Sequence, residues 1–495
     1  MSNILGISCG FHDAGVSVLS DKGEILFASH SERFSKQKHD ANLCPEILRY
    51  AQTYGEIEKI AYYEKHWKKK WRQFRAGQPI DKNLSIKGVL KDQLTDDLLQ
   101  LPIESHSHHL SHAAGGFQTS PFMDATVVVI DAIGEMDTIS IWHAEYNIVN
   151  GCAEYKCLWK QKYPHSIGLF YSAMTKRCDL RPLDEEYILM GMAAYGESKH
   201  SEEILNRYVN NLGTLEFKEN LHMGVPADTF GADANHYDIA HSSQEVVEGL
   251  IYAVMNHASH IGKSKNLVYS GGVALNCLAN RNLAKYFDNI WIMPNPGDAG
   301  SSLGAAALSY GKRVWWDDAF LGYDIPGPYP TKEILDELLT TKIVGVASGK
   351  AEFGPRALGN RSLLADPRGP EIKDKVNEYK RRQKFRPFAP VILEEFAEQY
   401  FSMPAGFETS RYMQVTATCK RPNEFPAIIH ADGTSRVQTV PNDGSGIRQL
   451  LEQWMILTGC PMLLNTSLNI RGEPMVNNIS DAKRFEKKYG VKVCY

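Results

Sequence analysis

The sequence predicts an α/β protein with two domains, residues 1–325 and 326–495. A strand–glycine turn–strand pattern occurs twice in the first third of the chain, and a third glycine turn follows a later strand. A segment dense in proline and glycine, residues 320–331, precedes a new helix and a new strand, which is typical of a domain linker. At 495 residues the chain is also too long for a single ordinary core.

Three short strands are predicted at the start of the chain, at residues 4–8, 15–20 and 24–29. The connection at residues 10–15 has a glycine at each end, and the backbone N–H groups of such a loop can face a phosphate. His12 lies in this loop and suits a general base or a substrate anchor. A histidine that only caps its own turn is the alternative, and the sequence leaves both interpretations open.

The same pattern returns at residues 126–131 and 138–142, and residues 267–276 then run from a strand through paired glycines into a helix. Two phosphate-facing hairpins followed by a glycine turn for adenosine resemble the actin, sugar kinase and heat-shock ATPase superfamily. The resemblance implies a duplicated N-terminal domain of this class, with nucleotide contacts at Gly271, Gly272 and Asn276.

A histidine-rich segment suggests a metal site. His108 and His112 stand four residues apart, so an α-helix places both imidazoles on one face. Two imidazoles at this spacing can bind a transition metal, which then needs carboxylates to complete its shell. Asp131 ends an apolar strand and Asp298 lies in a glycine-rich turn, so both are candidates. The alternative is that the histidines decorate a surface helix.

Residues 63–75 form the most basic stretch of the chain, and aromatic residues are interleaved with its cations. Such a mixture could contact nucleic acid or an anionic acceptor. At helical spacing Trp67, Trp71 and Phe74 share one face. We therefore expect an amphipathic helix with these three side chains inside and its lysines in solvent.

The last third of the chain is predicted to bind anions. Arg356, Arg361 and Arg368 lie among glycine turns, and residues 377–386 contain five cations against one glutamate. The proline that follows Arg386 holds this arginine in an extended backbone conformation. A guanidinium fixed in this way suits bidentate contact with a phosphate or a carboxylate.

Two further segments of this region carry polar side chains suited to a small ligand. Residues 434–440 are predicted to form a strand that carries Arg436. Asn465 and Ser467 lie in a short polar run directly after an apolar one, where they could hydrogen-bond a small planar group. Together with the arginines, these residues predict a site for polyanionic substrates.

The composition excludes several classes. With 54 basic and 58 acidic residues the net charge is −4, which gives no reason to expect nucleic-acid or membrane binding. No apolar run approaches the roughly 20 residues needed to span a bilayer. The nine cysteines are scattered without a CxxC pair, which favours reduced thiols in the cytoplasm. A homodimer is compatible with the sequence, which leaves the oligomeric state open.

Motifs along nearly the whole chain resemble the O-carbamoyltransferases of nodulation-factor, cephamycin and tobramycin biosynthesis. The motifs are HHLSHA at 108–113, SGGVALN at 270–276, PGDAGSSLG at 296–304, EFGPRALGNRS at 352–362, FRPFAP at 385–390, SRVQTV at 435–440, NTSLN at 465–469 and RGEP at 471–474. The resemblance implies an N-terminal domain like the threonylcarbamoyl-adenosine transferases of tRNA modification and a C-terminal YrdC-like α/β domain.

The resemblance also implies two half-reactions. In the C-terminal domain carbamoyl phosphate is cleaved, and the resulting carbamate attacks ATP, with Mg²⁺, to give carbamoyl adenylate and pyrophosphate. The N-terminal domain then transfers the carbamoyl group to a hydroxyl of an acceptor, with iron or another divalent transition metal. The implied metal ligands are His108, His112, Asp131 and Asp298. The implied contacts to carbamoyl phosphate and ATP are Arg356, Lys380, Arg386, Arg436, Asn465 and Ser467, of which Lys380, Arg386 and Arg436 are also expected to be catalytic. His12 is the candidate for activating the hydroxyl.

Two positions depart from the family pattern, and two other functions compete. Ala132 stands where the family usually has glycine, and Ile188 stands where a lysine is common, which leaves the acceptor open. Threonylcarbamoyl transfer to tRNA is a second enzymatic interpretation, but it has no need of a fused cationic carbamoyl phosphate site. An ATP-dependent binding module is the non-enzymatic interpretation, and the paired histidines argue against it.

Overall fold

The computed structural model describes residues 2–75 and 85–495. The described strands are β1 Asn3–Ser8, β2 Gly15–Ser20, β3 Ile25–His30, β4 Ile57–Tyr62, β5 Ile103–Ser105, β6 Asp124–Gly134, β7 Asp137–Tyr146, β8 Ala153–Lys162, β9 Val209–Asn211, β10 Glu216–Phe217, β11 Asn266–Ser270, β12 Asn289–Ile292, β13 Phe320–Ile325, β14 Ile343–Ala347, β15 Gly349–Glu352, β16 Arg361–Ala365, β17 Ala389–Leu393, β18 Phe401–Ser402, β19 Thr416–Cys419, β20 Thr434–Arg436, β21 Gln438–Val440, β22 Met462–Ser467 and β23 Val493–Cys494.

The described α-helices are α1 Glu32–Ser35, α2 Pro45–Gln52, α3 His66–Arg75, α4 Ile86–Leu90, α5 Asp96–Leu99, α6 His108–Thr119, α7 Ile167–Arg177, α8 Glu186–Met192, α9 Ser201–Tyr208, α10 His236–Ile261, α11 Cys277–Asn280, α12 Ser301–Tyr310, α13 Thr331–Thr341, α14 Pro370–Tyr379, α15 Ala397–Tyr400, α16 Gly446–Thr458 and α17 Ile479–Tyr489. Within residues 2–75 and 85–495, every helix is too short or too polar to span a lipid bilayer.

The chain forms two compact units. Unit 1 comprises Met1–Ala28 and Ala41–Asp317, and unit 2 comprises Ser29–Asp40 and Asp318–Tyr495. Both units mix helices with sheets, so the predicted α/β class is confirmed. The predicted functional division into residues 1–325 and 326–495 and the YrdC-like character of the second domain stay predictions.

Unit 1 is built around two five-stranded sheets with the orders β3-β2-β1-β4-β5 and β12-β11-β6-β7-β8. In each sheet an antiparallel hairpin, β1–β2 or β6–β7, lies beside parallel strands, as the repeated pattern in the sequence predicts. Helix α6 packs on the second sheet, where Ala113 and Phe117 join Val127 and Val129 in a buried cluster. This packing places the start of α6 near the carboxyl end of β6.

Unit 2 is centred on a six-stranded sheet with the order β21-β17-β22-β16-β14-β23. Its buried side chains form one large apolar cluster, which includes Val344, Leu363, Val391 and Leu463 from four of these strands. The sequence predictions of a helix after residue 331 and a strand at 343–347 are confirmed by α13 and β14.

Two local predictions differ from the structure. The first half of the predicted linker is strand β13, which pairs with β15 and buries Leu321 and Ile325. The strand predicted at 434–440 is divided in two: β20 joins a three-stranded sheet and β21 joins the six-stranded sheet. The proline and glycine content indicates where a regular element ends, but pairing with distant strands decides which residues form a β-strand.

The predicted inner stripe of α3 is wrong. Trp67, Trp71 and Phe74 share one face of the helix as expected, but their exposed fractions are 59%, 53% and 63%. The helix instead directs cations toward the protein, where Lys68 and Lys69 form ion pairs with the buried Glu135 and Glu64. Periodicity alone could not reveal this, because the buried acids that attract the lysines lie on other elements.

Candidate metal centre and anion site

Three elements of unit 1 bring the four predicted metal ligands together. His108 and His112 lie on the first turns of α6, Asp131 lies in β6, and Asp298 lies in a 3₁₀ turn directly before α12. The register of β6 against β7 shifts after Ile130, so Asp131 lies in an irregular stretch of strand of the kind that re-aims side chains at functional sites. All four side chains are buried, and one ligand atom from each lies within 4.8 Å of the others.

The spacing of these atoms fits a first-row transition metal. The two Nε2 atoms are 3.0 Å apart. His108 Nε2 lies 3.1 Å from an oxygen of Asp131 and 3.3 Å from one of Asp298, and the corresponding distances from His112 are 3.8 and 3.3 Å. Ligands bound at about 2.1 Å are about 3.0 Å apart in an octahedral shell and about 3.4 Å apart in a tetrahedral one. A mixed nitrogen and oxygen donor set of this size suits iron, zinc or manganese.

The electrostatics of the four residues favour an ion. Burial raises the pKa of Asp131, but hydrogen bonds and charges from the two histidines hold it well below its usual range. Burial lowers the pKa of His108, but Asp298 and Asp131 raise it well above the ordinary value. Two buried carboxylates in contact with imidazoles therefore require positive charge at this point, which protons or a cation can supply.

Residues around the four ligands hold them in place. His112 Nδ1 lies 3.0 Å from Ser301 Oγ, which leaves Nε2 to face the centre. Asp131 Oδ1 accepts a hydrogen bond from the N–H of Gly272 at 3.3 Å. The N–H of His108 donates to Glu135 Oε1 at 3.3 Å, and Glu135 is buried. Ser301 and Glu135 were not predicted as site residues. Ser301 lies within the PGDAGSSLG motif and Glu135 lies four residues after Asp131, and these positions are the signal that could have found them.

Gly134 permits the close approach of the hairpin to the histidines. A Cβ atom at this position would lie 2.4 Å from Cδ2 of His108 and 2.5 Å from Cδ2 of His109. These distances are well inside van der Waals contact, so a larger residue would displace the imidazoles. The packing of the histidines therefore requires a glycine at residue 134 of the second hairpin.

His12 is half-buried in the loop between β1 and β2, and its Nδ1 lies 3.0 Å from Asp13 Oδ2. Burial lowers the pKa of His12, but the hydrogen bond to Asp13 and the charges of Asp298 and Asp131 raise it to about 9. The charges of Asp298 and Asp131 thus act on this histidine, and its role near a transfer site stays a prediction. At neutral pH the metal-free protein holds it protonated, which is the wrong state for the general base expected from the sequence.

The predicted nucleotide residues lie at the end of β11. The N–H of Gly271 donates to the carbonyl of Pro296 at 2.9 Å, and Gly272 donates to Asp131. The side chain of Asn276 exchanges two hydrogen bonds with Gln244, at 2.9 and 3.1 Å. This glycine turn therefore holds Asp131 of the candidate metal centre by a hydrogen bond from Gly272. Its contact to a nucleotide stays a prediction.

Lys380 is the central cation of unit 2. Its ammonium donates to the carbonyl of Ser467 at 2.5 Å, to Ser467 Oγ at 3.1 Å and to Asn469 Oδ1 at 3.0 Å. Burial, followed by the charges of Arg382 and Arg386, lowers its pKa well below the ordinary value. A buried lysine held beside two guanidiniums is unfavourable unless an anion compensates the charges.

Further cations surround this point. The pKa of His430 is lowered to about 4, because burial and the charges of Arg436, Lys373 and Arg382 together outweigh the opposing charge of Asp432. Arg382 thus acts on both Lys380 and His430, which places Arg386 and Arg436 in one basic region of unit 2. His430 and Lys373 were not predicted, because neither stands in a recognisable motif.

Arg361 and Arg368 do not belong to this region. Arg361 is fully buried and donates to five backbone carbonyls, those of residues 323, 348, 349, 360 and 477. Arg368 pairs with Asp366 and donates to the carbonyl of Thr458. Both arginines are structural, so the interpretation of all three glycine-flanked arginines as anion ligands is wrong for these two. Arg356, the third, is half-buried.

Asn465 lies in β22 and is buried. Its amide nitrogen donates to the carbonyl of Ala357 at 3.0 Å and to Gln438 Oε1 at 2.8 Å. Its Oδ1 has no hydrogen-bond partner among the described residues. Because a buried amide oxygen without a donor is costly, this atom is available to a ligand with an N–H group.

The two departures from the family pattern are accommodated by packing. Ala132 is half-buried beside α7, where a Cβ on Gly168 would lie 2.8 Å from its Cα atom. Ile188 is 1% exposed in α8 and forms part of the core. A lysine at position 188 would bury its charge here, so this chain uses the position for packing.

Two family models match the chain. The model of the carbamoyltransferase N-terminus covers residues 57–307, and that of the carbamoyltransferase C-terminus covers residues 335–495. Among solved structures, component A of the (R)-2-hydroxyglutaryl-CoA dehydratase of Acidaminococcus fermentans matches 63% of this chain and 98% of that one, with 16% identity and a TM-score of 0.35.

Several curated proteins are similar over nearly the full length. An uncharacterized protein of Synechocystis sp. is 33% identical over 98% of this chain and 94% of its own. The nodulation protein NolNO of Sinorhizobium fredii is 30% identical over 97% of this chain and 77% of its own. The 3'-hydroxymethylcephem-O-carbamoyltransferase of Amycolatopsis lactamdurans is 25% identical over 97% of this chain and 95% of its own. The chain therefore belongs to the carbamoyltransferase family and is a transferase.

Proposed function

We propose that this chain is an ATP-dependent O-carbamoyltransferase. Unit 2 cleaves carbamoyl phosphate with water to carbamate and inorganic phosphate, and a carbamate oxygen then attacks the α-phosphate of ATP, which gives carbamoyl adenylate and releases pyrophosphate. Unit 1 transfers the carbamoyl group to a hydroxyl of an acceptor, with AMP as the leaving group. The observation that carries the proposal is the convergence of His108, His112, Asp131 and Asp298 in a member of the carbamoyltransferase family. A relative named for O-carbamoyl transfer to a hydroxymethyl group supports a hydroxyl as the acceptor.

In the first half-reaction, both substrates of unit 2 are polyanions that repel each other. Lys380, Arg386 and Arg436 offset this repulsion and hold the carbamoyl oxygen near the α-phosphate of ATP. The contacts of Lys380 to Ser467 and Asn469 fix its ammonium before substrate binds, so little reorganisation is needed. The free Oδ1 of Asn465 accepts a hydrogen bond from the carbamoyl amide.

In the second half-reaction, the chain's own residues position the acceptor and move its proton. His108, His112, Asp131 and Asp298 would hold a divalent transition metal, which supplies positive charge to stabilise the departing phosphate of AMP. A bound cation would also offset the negative charges of Asp298 and Asp131, which contribute to the raised pKa of His12. His12 then loses its proton more readily and can accept one from the acceptor hydroxyl.

Pyrophosphate release tests the first half-reaction separately. Wild-type protein with ATP and carbamoyl phosphate, and without acceptor, is expected to release pyrophosphate. Arg386→Ala should abolish this release, whereas Arg411→Ala, an exposed arginine of the same unit, should not. If Arg386→Ala still releases pyrophosphate at the wild-type rate, the assignment of the anion site is wrong.

His112→Ala tests the order of the two steps. The variant is expected to release pyrophosphate but to lose carbamoyl transfer, measured as the mass gain of an acceptor, while the exposed His260→Ala behaves like wild type. If His112→Ala also stops pyrophosphate release, the two half-reactions are not divided as proposed. Release of ADP instead of pyrophosphate would indicate an ATP-dependent binding module, and activity only with premade threonylcarbamoyl adenylate would indicate a tRNA enzyme.

A further inference from the structure

Helix α3 reaches the loop of His12 through one lysine. Lys69 Nζ lies 3.0 Å from Glu64 Oε1 and 3.4 Å from the carbonyl oxygen of Gly10. It also lies 5.7 Å from the centre of the Phe11 ring, which is within the range of a cation–π contact. One ammonium group therefore contacts both residues that directly precede His12.

The position of Glu64 follows from the pairing of β1 with β4. These strands are parallel, and Ile7 lies opposite Tyr62 near their carboxyl ends. Because adjacent parallel strands end at the same edge of a sheet, the residues after β4 lie beside the loop that follows β1. Glu64 is the second residue after β4, and its side chain is only 5% exposed. A carboxylate buried to this extent requires compensation, and Lys69 supplies the cation.

Tyr62 joins the same network at the base of the loop. Its hydroxyl oxygen is buried with the ring and lies 3.2 Å from the carbonyl oxygen of Cys9 and 3.3 Å from Glu64 Oε1. Burial, followed by the charge of Glu64, raises the pKa of Tyr62 well above its ordinary value, so the hydroxyl keeps its proton and can donate it. The N–H of Gly10 donates to the carbonyl of Ala41 at 2.7 Å. The backbone that leads to the candidate catalytic histidine is therefore held by several separate contacts.

The ring of Phe11 connects this network to the imidazole. The Phe11 and His12 rings lie 4.6 Å apart, with an angle of 47° between their planes. Phe11 is 43% exposed, so the surrounding protein covers only part of its ring. The Lys69 side chain is 18% exposed, and a partly desolvated ammonium group binds an aromatic ring more strongly than one in water. The contacts therefore run from Glu64 through Lys69 and Phe11 to His12.

We propose that the Glu64–Lys69 ion pair positions His12 by holding the Phe11 ring against the imidazole. Both members of the pair are then positioning residues, since they act through His12. This inference rests on the proposed function, in which His12 accepts the proton of the acceptor hydroxyl. A general base must lie within hydrogen-bond reach of the proton that it removes, so a loop that keeps the imidazole in one place favours transfer.

The alternative is that the ion pair only fastens α3 to the rest of unit 1. Lys68, the preceding residue of the helix, provides the comparison, because its Nζ lies 3.5 Å from the buried Glu135 between β6 and β7. Both lysines fasten the same helix, but they pair with acids on different elements. If fastening the helix is the only role, loss of either lysine should affect His12 alike. If the proposal is right, only loss of Lys69 should do so.

The nuclear Overhauser effect between the Phe11 ring and the His12 imidazole tests the inference in the full chain. The protein is deuterated except at phenylalanine and histidine, and Phe11→Leu identifies the cross-peak by removing it. Lys69→Met should also remove the cross-peak, because methionine has no ammonium group to contact Gly10 or the Phe11 ring. Lys69→Arg, which keeps a cation over the ring, should retain most of its intensity.

A second variant guards against unfolding. Lys69→Met leaves the carboxylate of Glu64 buried without its cation, which is strongly destabilising. The double variant Glu64→Gln/Lys69→Met removes both charges and avoids this cost, and its amide can still hydrogen-bond Tyr62. It should remain folded by circular dichroism and should lack the cross-peak. Lys68→Met, the matched control, should keep it.

A cross-peak of wild-type intensity in the folded double variant overturns the proposal and leaves the ion pair as an anchor of α3. Equal loss of the cross-peak in Lys68→Met also overturns it, since the effect would not be specific to Lys69. Pyrophosphate release by the wild type from ATP and carbamoyl phosphate tests the proposed function separately, because the cross-peak is measured without any substrate.

Discussion

Gly134 has no side chain beyond a hydrogen atom, which lets the second hairpin lie against the imidazoles of His108 and His109. In Gly134→Ala, the new methyl group would overlap Cδ2 of His108 and His109, so the imidazoles must move. We expect a loss of about 1–3 kcal/mol in the free energy of unfolding. We also expect metal affinity to fall about 10- to 100-fold, as measured by calorimetric titration with Fe²⁺ or Zn²⁺.

Gly191→Ala provides the control for this prediction. Gly191 lies in helix α8, and a Cβ there has nothing within 4 Å. Alanine should therefore leave metal affinity unchanged and should stabilise the helix by up to about 1 kcal/mol. Equal metal affinity of Gly134→Ala and wild type would show that the hairpin does not constrain the histidines.

The protonation of His12 should report on the metal centre. Its pKa is raised from 6.5 to about 9 in the metal-free protein. Because the folded-state value is the higher one, the stability contributed by His12 is fully present below about pH 6.5 and is lost as the pH rises through about 9. The difference in unfolding free energy between wild type and His12→Gln should therefore shrink over this range.

Metal binding should lower the pKa of His12, because a cation offsets the charges of Asp131 and Asp298. Titration of the imidazole resonances by NMR, with and without Zn²⁺, measures the shift directly. An unchanged His12 titration would mean that the metal does not bind at these carboxylates.

Lys380 should take up a proton when its substrate binds. Its pKa is held well below the ordinary value by burial and by two guanidiniums, and a bound polyanion would raise it. Titration with carbamoyl phosphate alone, in two buffers of different ionisation enthalpy and at an alkaline pH where the free side chain is partly deprotonated, should give different heats. Lys380→Met should abolish the difference. Identical heats for the wild type would contradict the assignment.

At the scale of elements, the contact between α6 and α12 sets the distance between the candidate metal ligands His108 and His112 in α6 and Asp298 directly before α12. A Cβ on Gly304 would lie 1.8 Å from the carbonyl oxygen of Ser111, so the helices touch through their backbones. Gly304→Ala should separate them, destabilise the protein by about 3 kcal/mol and weaken metal binding. Gly249→Ala in α10, where a Cβ has nothing within 4 Å, should do neither. The melting temperature and metal titration measure both effects.

Helix α3 shows what periodicity can and cannot predict about an element. The spacing of Trp67, Trp71 and Phe74 correctly placed them on one face, but the face is exposed rather than buried. The direction of a helix face depends on what it packs against. Here buried Glu64 and Glu135 attract the lysines, and those acids come from elements that helical spacing does not describe.

At the scale of the whole molecule, the chain passes from unit 1 into unit 2 and back at residues 29–40. Arg33 of this segment is 2% exposed and donates to the carbonyl of Gly354 at 2.9 Å, and Lys36 pairs with Asp481. A fragment of residues 318–495 therefore lacks part of its own unit. We expect it to be less stable than the corresponding unit in the full chain by about 3–5 kcal/mol, which calorimetry can measure.

A peptide of residues 29–40 should restore part of this stability when added to the fragment. The same peptide with Arg33→Ala should not, because it lacks the guanidinium that is buried in unit 2 and attracted by the charge of Glu352. If the fragment alone melts at the temperature of the full chain, the segment contributes nothing to unit 2.

The sequence by itself determined the elements that depend on short local patterns. These are the two hairpins, the glycine turn after β11, the helix that carries His108 and His112, and the family, which contiguous motifs identify. It also selected Asp131, which follows an apolar run, and Asp298, which lies in a glycine-rich turn, although β6 continues past Asp131 to Gly134 instead of ending there.

Only the tertiary structure decided which of the candidate residues share a site. It brought the four candidate metal ligands together, placed Arg361 and Arg368 in structural roles, and added Ser301 and Glu135 as supports. It also exposed Trp67, Trp71 and Phe74 and joined residues 29–40 to unit 2. The physical reason is that burial, charge pairing and close approach depend on elements far apart in the chain, whose packing no local pattern specifies.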